Sequence, residues 1–439
     1  MEFAPDQKLT TCSRCGRQSA VEAAFAKEKH FFGLVTRTYC PDCQVKRQTL
    51  SFIIQFILLP ALGVLLYFLL PGFWLGRFLL VFTFSLLLFI PFILVHELAH
   101  AGMAALLGLR VFTVVLGVGR PFYTGRFLGW NWEIRPLPLG GVTILGGPQA
   151  PSYRLRLFFT YLAGPLTHAV WAAVCWITWF ILAIFGANQW VTTALWALMW
   201  GNIILLAANL WPRKTYTAFG TTGTDGWHLF NVFFLKPAEL EKRYASYYAM
   251  EALEACKRGD FLQAKAWIGK GLGLYPSDRI LLNVSGYVYV QMGEYTPARQ
   301  VFLQVLESRP DLPPELKYIL LNNVAFADVM LADLDLLPQA DEFSSQAYQH
   351  ASWEPAIVGT RGAVLVALGR PDEGIPLLKS ALSKNPDKKG KALDACLLAR
   401  GERSRGNLLE AKKYLETARM LDRTCSLIAQ VEGELRSAP

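Results

Sequence analysis

Charge is scarce in this chain. Only 18% of its residues are Asp, Glu, Lys or Arg, against about 25% in ordinary soluble domains, and the deficit excludes a disordered or polyelectrolyte protein. Acids are rarer than bases, 34 against 43, which leaves a formal net charge of +9. Histidine is rarer still, with six in 439 residues. No cleavable leader is expected, because the N-terminal stretch is polar and its first apolar run comes only after residue 49. The first apolar segment is therefore expected to stay in the chain as an anchor.

Apolar residues fill the space that charge leaves, making up 53% of the chain. They concentrate between residues 50 and 211 in four runs, 50–70, 78–107, 155–185 and 191–211, each long enough for the ~20 residues that a membrane helix needs. The basic residues flank these runs. Lys46 and Arg47 precede the first; Arg110, Arg120, Arg126, Arg135, Arg154 and Arg156 fill the segment between the second and third; Arg213 and Lys214 follow the fourth. Positive flanks face the cytoplasm, which leaves 71–77 and 186–189 as outer turns, with Arg77 the single exception, and puts both termini inside. The net positive charge is thus a topology signal, and no nucleic-acid partner is expected. The expected localisation is that of an integral membrane protein, in a bacterial plasma membrane.

Before the first span, Cys12-Ser13-Arg14-Cys15 and Cys40-Pro41-Asp42-Cys43 are separated by 24 residues. Two such pairs offer four thiolates, a tetrahedral set for structural zinc or, as the alternative, iron. The strand-like run 31–39 between them suits a zinc ribbon over residues 1–48. A reducing cytoplasm argues against disulfides. Cys175, Cys256, Cys396 and Cys425 have no such spacing and read as ordinary buried thiols.

Two of the six histidines fall in the second apolar run, as His96-Glu97-Leu98-Ala99-His100. On a helix the histidines at i and i+4 share one face, and the glutamate can reach a water bound to the same metal. Such a group is costly in hydrocarbon and marks function by default. After it come β-branched and aromatic runs, 111–116 and 130–134, broken by Gly and Pro as hairpins require. Further on stand Ala163-Gly164-Pro165-Leu166-Thr167-His168, Asn209-Leu210-Trp211-Pro212 and Asp225-Gly226.

Across roughly residues 75–235 these motifs resemble the site-2 protease family of intramembrane zinc metalloproteases. The resemblance implies a four-helix membrane core over 49–236, with a re-entrant β segment at 111–145 able to hold substrate as an added strand. It implies catalytic zinc on His96, His100 and Asp225, with Glu97 as general base. His168 stands where the family has asparagine, which implies a catalytic place for it as hydrogen-bond donor to the oxyanion. His228, one turn after Asp225, is the competing third ligand. The linker 213–224 is longer than the family's compact form.

Beyond residue 236 the chain turns soluble and periodic. Gly259, Gly293, Gly369 and Gly406 each precede a small residue by five positions, and the first two are 34 residues apart. That is the pattern of tetratricopeptide repeats, with a degenerate unit at 321–348 filling the gap to make five helical pairs over 237–439. Such a stack binds a protein or peptide on its concave face.

The expected architecture is mainly α: a polytopic membrane helix bundle with a small β-hairpin sheet, an N-terminal zinc ribbon and a C-terminal α-solenoid. The expected function is a zinc endopeptidase acting on membrane proteins within the lipid bilayer, with one catalytic and one structural Zn2+. The rival reading is a membrane-anchored tetratricopeptide scaffold with a structural or inactive metal site.

Overall fold

The structure is a computed structural model that describes residues 10–437, apart from 17, 20–25, 31–34, 41–42, 44–45, 48, 51–52, 70–73, 120, 187, 218–219, 309–311, 313 and 386. It divides into two compact units, one holding residues 11–17 and 23–247, the other holding residues 248–439 with the N-terminal pieces 1–10 and 18–22.

The N-terminal stretch holds two short strands, β1 (Thr10–Thr11) and β2 (Gln18–Ser19), of which β2 belongs to the other unit; the first unit then has the antiparallel pair β3 (Ala26–His30) and β4 (Val35–Tyr39), in register from Ala26↔Tyr39 to His30↔Val35. Residues 31–34 of the expected strand lie outside the described set. A widened helical turn (Ile54–Leu58) leads into α1 (Leu59–Leu69), and α2 (Trp74–Leu106) follows. At 33 residues and 1.5 Å per residue α2 is about 50 Å long, more than a bilayer core of ~30 Å. Its C-terminal turns, which carry His96 to His100, therefore extend past an apolar stretch already sufficient to span.

The sheet is mixed. Strands β5 (Arg110–Val118), β6 (Tyr123–Phe127), β7 (Trp130–Ile134) and β8 (Leu137–Gly146) lie in the order β6-β7-β5-β8. Both β-branched runs are strands, but β5 and β7 pair parallel, so they are not the two arms of one hairpin. The hairpin is β6–β7, and β8 runs antiparallel to β5. Central β5 buries Val111, Val114 and Val115, as a strand covered on both faces should. At Gly117 the register with β8 shifts; its φ of +86° and a Cβ position 2.7 Å from the Leu137 carbonyl oxygen admit only glycine.

Helices α3 (Tyr153–Ile184) and α4 (Gln189–Leu210) are long and apolar enough to cross a membrane, with mean hydropathy 1.7 in each. Only 11% and 6% of their apolar windows are buried within the protein; surfaces such as Trp176, Ile177, Phe180 and Ile204 are exposed, the inverse of a soluble core helix. Of the other two expected spans, 50–70 contains α1 and 78–107 is almost wholly within α2. After α4 come a short hairpin, β9 (Lys214–Thr217) with β10 (Gly220–Gly223), and α5 (Asp225–Asn231).

The helical array starts at residue 237, in a helix whose first half still belongs to the first unit, and from residue 248 on forms the second unit. Helix α6 (Pro237–Lys257) is followed by α7 (Phe261–Leu274), α8 (Arg279–Gln291), α9 (Tyr295–Ser308), α10 (Pro314–Leu331), α11 (Leu337–Ala351), α12 (Pro355–Ala367), α13 (Pro371–Lys384), α14 (Lys388–Ser404), α15 (Leu408–Leu421) and α16 (Leu427–Arg436). The four repeat glycines turn with φ between +75° and +78°, so each closes a helix in the left-handed conformation. In the degenerate third unit Ala332 takes that place at φ +55°, which explains why no glycine marks it. Five positions on, Ala264, Ala298 and Ala411 are fully buried, and a Cβ on Gly374 would meet the Gly362 carbonyl oxygen at 2.5 Å. Of the four unspaced cysteines, Cys175, Cys256 and Cys396 are buried and Cys425 is half-buried.

Candidate metal centre and active site

The periodicity of α2 puts His96 and His100 on one face, and their Nε2 atoms lie 3.1 Å apart. Asp225 meets both, Oδ2 at 3.1 Å from His96 Nε2 and Oδ1 at 3.3 Å from His100 Nε2. Tetrahedral zinc with bonds of about 2.0–2.1 Å has ligand-to-ligand edges of about 3.3–3.4 Å; the two imidazole nitrogens are near that spacing and each has a different Asp225 oxygen beside it, so one atom from each residue could hold that ion. The fourth corner is left for a water. His100 Nδ1 donates to the Thr160 carbonyl oxygen at 2.6 Å, which leaves Nε2 bare for metal. Burial pushes the Asp225 carboxyl up, but hydrogen bonds and charge from His100 and His96 outweigh it and hold the group well below the usual carboxylate range.

Asp225 reaches this position although twelve residues separate it from the end of the Asn209-Leu210-Trp211-Pro212 motif. The extra length is the β9–β10 hairpin, which leaves and returns at one place. Thr224 N donates to Arg213 O at 2.9 Å, and Thr224 Oγ1 donates to Trp211 O at 2.7 Å while capping α5 at Trp227 N. Gly226 then lies so close to α4 that a Cβ would be 1.9 Å from Leu210 O. His228 stands apart from the triangle, stacked on Tyr161 with centroids 4.7 Å apart and with Nε2 3.4 Å from Thr222 Oγ1. Burial first, and then the Arg243 cation, lower its pKa from the usual imidazole value.

Glu97 is buried against β8. Thr143 Oγ1 contacts Glu97 Oε2 at 2.7 Å and Glu97 O at 3.2 Å, and a Cβ on Gly141 would fall 2.4 Å from Glu97 Cγ. Gly164 does the same on α3, where a Cβ would sit 2.2 Å from His100 Nε2 and 2.6 Å from His96 Nε2. Bare backbone therefore walls the site on two sides. His168, 2% exposed, lies with its ring 5.0 Å from that of His96 and its Nδ1 3.0 Å from Asn202 Oδ1. Thr143, Thr160 and Asn202 belong to none of the sequence motifs. Asn202 had a signal, an amide in the middle of an apolar span; the two threonines act through geometry that spacing does not reveal.

At the N-terminus Cys12, Cys15, Cys40 and Cys43 bring their sulfurs within 4.8 Å of one another. Cys15 Sγ and Cys40 Sγ are 3.7 Å apart, close to the ~3.8 Å edge of a tetrahedron with 2.3 Å zinc–sulfur bonds. The knuckle is held by Ser13 N donating to Thr38 O at 2.8 Å and by Gly16 N to Cys12 O at 3.0 Å. Cys12 and Cys43 do not ionise alike. Burial raises the Cys12 thiol, but backbone N–H groups of Cys40, Cys15 and Arg14 bring it down to about 6, while burial and the neighbouring sulfurs push Cys43 up to about 12.

Residues 83–187, from the middle of α2 through the sheet and α3, match peptidase family M50. That stretch is similar to the M50 peptidases. Residues 281–312 match the tetratricopeptide repeat. A protein of Neisseria meningitidis serogroup A named as a zinc metalloprotease is 36% identical over 63 residues, 14% of this chain and 14% of its own length; this chain thus spans only a small part of that relative. Among solved structures, a tetratricopeptide protein of Thermus thermophilus is 18% identical with TM-score 0.35, covering 44% of this chain and 97% of its own. YrrB, titled a tetratricopeptide protein with an unusual peptide-binding site, is 18% identical with TM-score 0.27, covering 42% and 90%. M50 proteins are integral membrane proteases that use zinc, and in this chain His96, His100 and Asp225 form a group that could hold a metal ion.

Proposed function

We propose that this protein is an intramembrane zinc metalloprotease that hydrolyses peptide bonds in or next to transmembrane segments, with its repeats recruiting substrate or a partner. The observation that carries the reading is the His96, His100 and Asp225 triangle beside a Glu97 carboxylate held by Thr143. Zinc bound there would lower the pKa of its water and polarise the scissile carbonyl. Glu97 takes the water proton and passes it to the leaving amine. Its hydrogen bond from Thr143 and the close backbone of Gly141 keep the carboxylate in one orientation, which is what a general base needs.

A helical substrate must unwind before its carbonyls can be attacked, since each is already hydrogen-bonded. Strand β8 is a sheet edge that packs on Glu97, so an unwound segment added to it runs past the base as an extended strand. The four-span topology, with both termini and the catalytic end of α2 on the cytoplasmic side of a bacterial plasma membrane, follows from the basic flanks. The cysteine cluster holds the second, structural zinc.

The test compares membranes from cells expressing the wild type and Glu97→Gln. Shortened membrane proteins seen only with the wild type, and lost on chelation, are the expected result. Identical patterns in both would leave the scaffold reading.

A further inference from the structure

Asn202 sits within α4 with no exposure, and its side chain is engaged at both ends. Nδ2 donates to Leu198 O, one turn back, at 3.0 Å. Oδ1 faces His168 Nδ1 at 3.0 Å. Turning the amide over would press Oδ1 against the Leu198 carbonyl, two acceptors 3.0 Å apart and too close for a bridging group, so the orientation is set by the helix itself. An amide oxygen only accepts. Nδ1 of His168 therefore carries the hydrogen, and a neutral imidazole protonated there has a bare lone pair on Nε2. Among the described residues none holds that Nε2. The neighbouring His96 ring is inclined at 34°, and its Nδ1 is buried without a partner.

We infer that Asn202 is a positioning residue that locks His168 in the Nδ1–H tautomer, so that His168 presents Nε2 at the metal site as a hydrogen-bond acceptor. The group it receives is an N–H of the bound peptide or an O–H of the attacking water. This reverses the donor role that the sequence suggests for His168, because a neutral ring in this tautomer has nothing to give a carbonyl oxygen. The lock is a property of α3 and α4 alone; the catalytic use of the acceptor rests on the protease reading above.

The full-length protein, labelled with 15N-histidine and reconstituted in bilayers, is measured by solid-state NMR, the His168 signal being the one lost in His168→Asn. The expected wild-type signal has hydrogen on Nδ1 only, and Asn202→Leu moves it toward the other tautomer. Hydrogen on Nε2 in the wild type, or a signal indifferent to Asn202→Leu, overturns the lock. The wild-type measurement needs no variant at Asn202 to fold. In membranes giving a Glu97-dependent product, Asn202→Leu lowers cleavage about 10- to 100-fold with zinc content unchanged. A fall in kcat identifies the water as donor, a rise in KM the peptide N–H, and unaltered cleavage overturns the acceptor role. If the wild type yields no Glu97-dependent product, the protease reading fails and the tautomer result stands by itself.

Discussion

Gly164→Ala separates what the helix bundle needs for folding from what the His96, His100 and Asp225 group needs for metal. A β-carbon at this position would stand 2.2 Å from His100 Nε2 and 2.6 Å from His96 Nε2, well inside ordinary contact. Both atoms are at the far ends of side chains, His100 held through its Nδ1 by Thr160 O, so the rings give way only while no metal fixes them. Overpacking of this kind costs about 1–3 kcal/mol. The substitution also removes a glycine from a helix interior, a gain of about 1 kcal/mol, and that gain is realised whether or not metal is present. With no metal bound the rings can turn aside, so the helix bundle keeps its stability. With metal they cannot, and the whole penalty falls on binding, where 1–3 kcal/mol is about 5- to 150-fold in affinity. The assay is chelator competition on the full-length protein in detergent, with Gly102→Ala as the matched control: it is in α2, two residues beyond His100, and its β-carbon would meet nothing within 4 Å. Equal zinc affinity for Gly164→Ala and the control would refute the claim that α3 backbone abuts the ligands.

Three further outcomes follow from other parts of the molecule. Thr143→Val removes the hydroxyl beside Glu97 Oε2 and leaves a buried carboxylate oxygen unpaired, at about 1–3 kcal/mol; cleavage should drop about 10-fold or more with zinc content intact, measured by product formation and metal analysis. Cys40→Ser should remove one zinc per chain while the His96 site keeps its own, counted by metal analysis of the purified protein; loss of both would contradict the independence of the two donor sets. Asp394, 4% exposed on α14, has its carboxyl raised to about 7 by burial, partly offset by Asn385 Nδ2 donating to Oδ2 at 3.0 Å. A raised folded pKa means its contribution is fully present below the unfolded value near 3.9 and is lost as pH rises to about 7. Asp394→Asn should therefore flatten that decline and exceed the wild type by about 2–4 kcal/mol at pH 8, read from thermal unfolding of the repeat helices at pH 5 and pH 8; an unchanged pH slope would show that Asp394 titrates normally.

The parts legible in the sequence are those that repeat or are set by local geometry. His96 and His100 share a face because four residues make about one helical turn, and the repeat glycines announce themselves because each needs a positive φ. Pairing partners are another matter. Nothing in residues 111–116 and 130–134 says that β5 and β7 run parallel, since strand propensity is the same for either direction. Ala332 escapes because alanine carries no turn signal, and its backbone is held by the surrounding array. Thr143 and Asn202 are hidden for a third reason: each acts on a residue more than 30 positions away, a distance that only the packed fold closes.

The β9–β10 hairpin has a consequence for how this protein can vary. Because Arg213 and Thr224 are fastened to each other, Asp225 takes its position from the clamp and not from the number of residues between. Chain added between Thr217 and Gly220 would lengthen an arm without moving Asp225. The hairpin is thus a port beside the candidate metal centre, a place where a tag, a reporter or a new recognition segment can be inserted a few residues from Asp225 while leaving the donor triangle undisturbed.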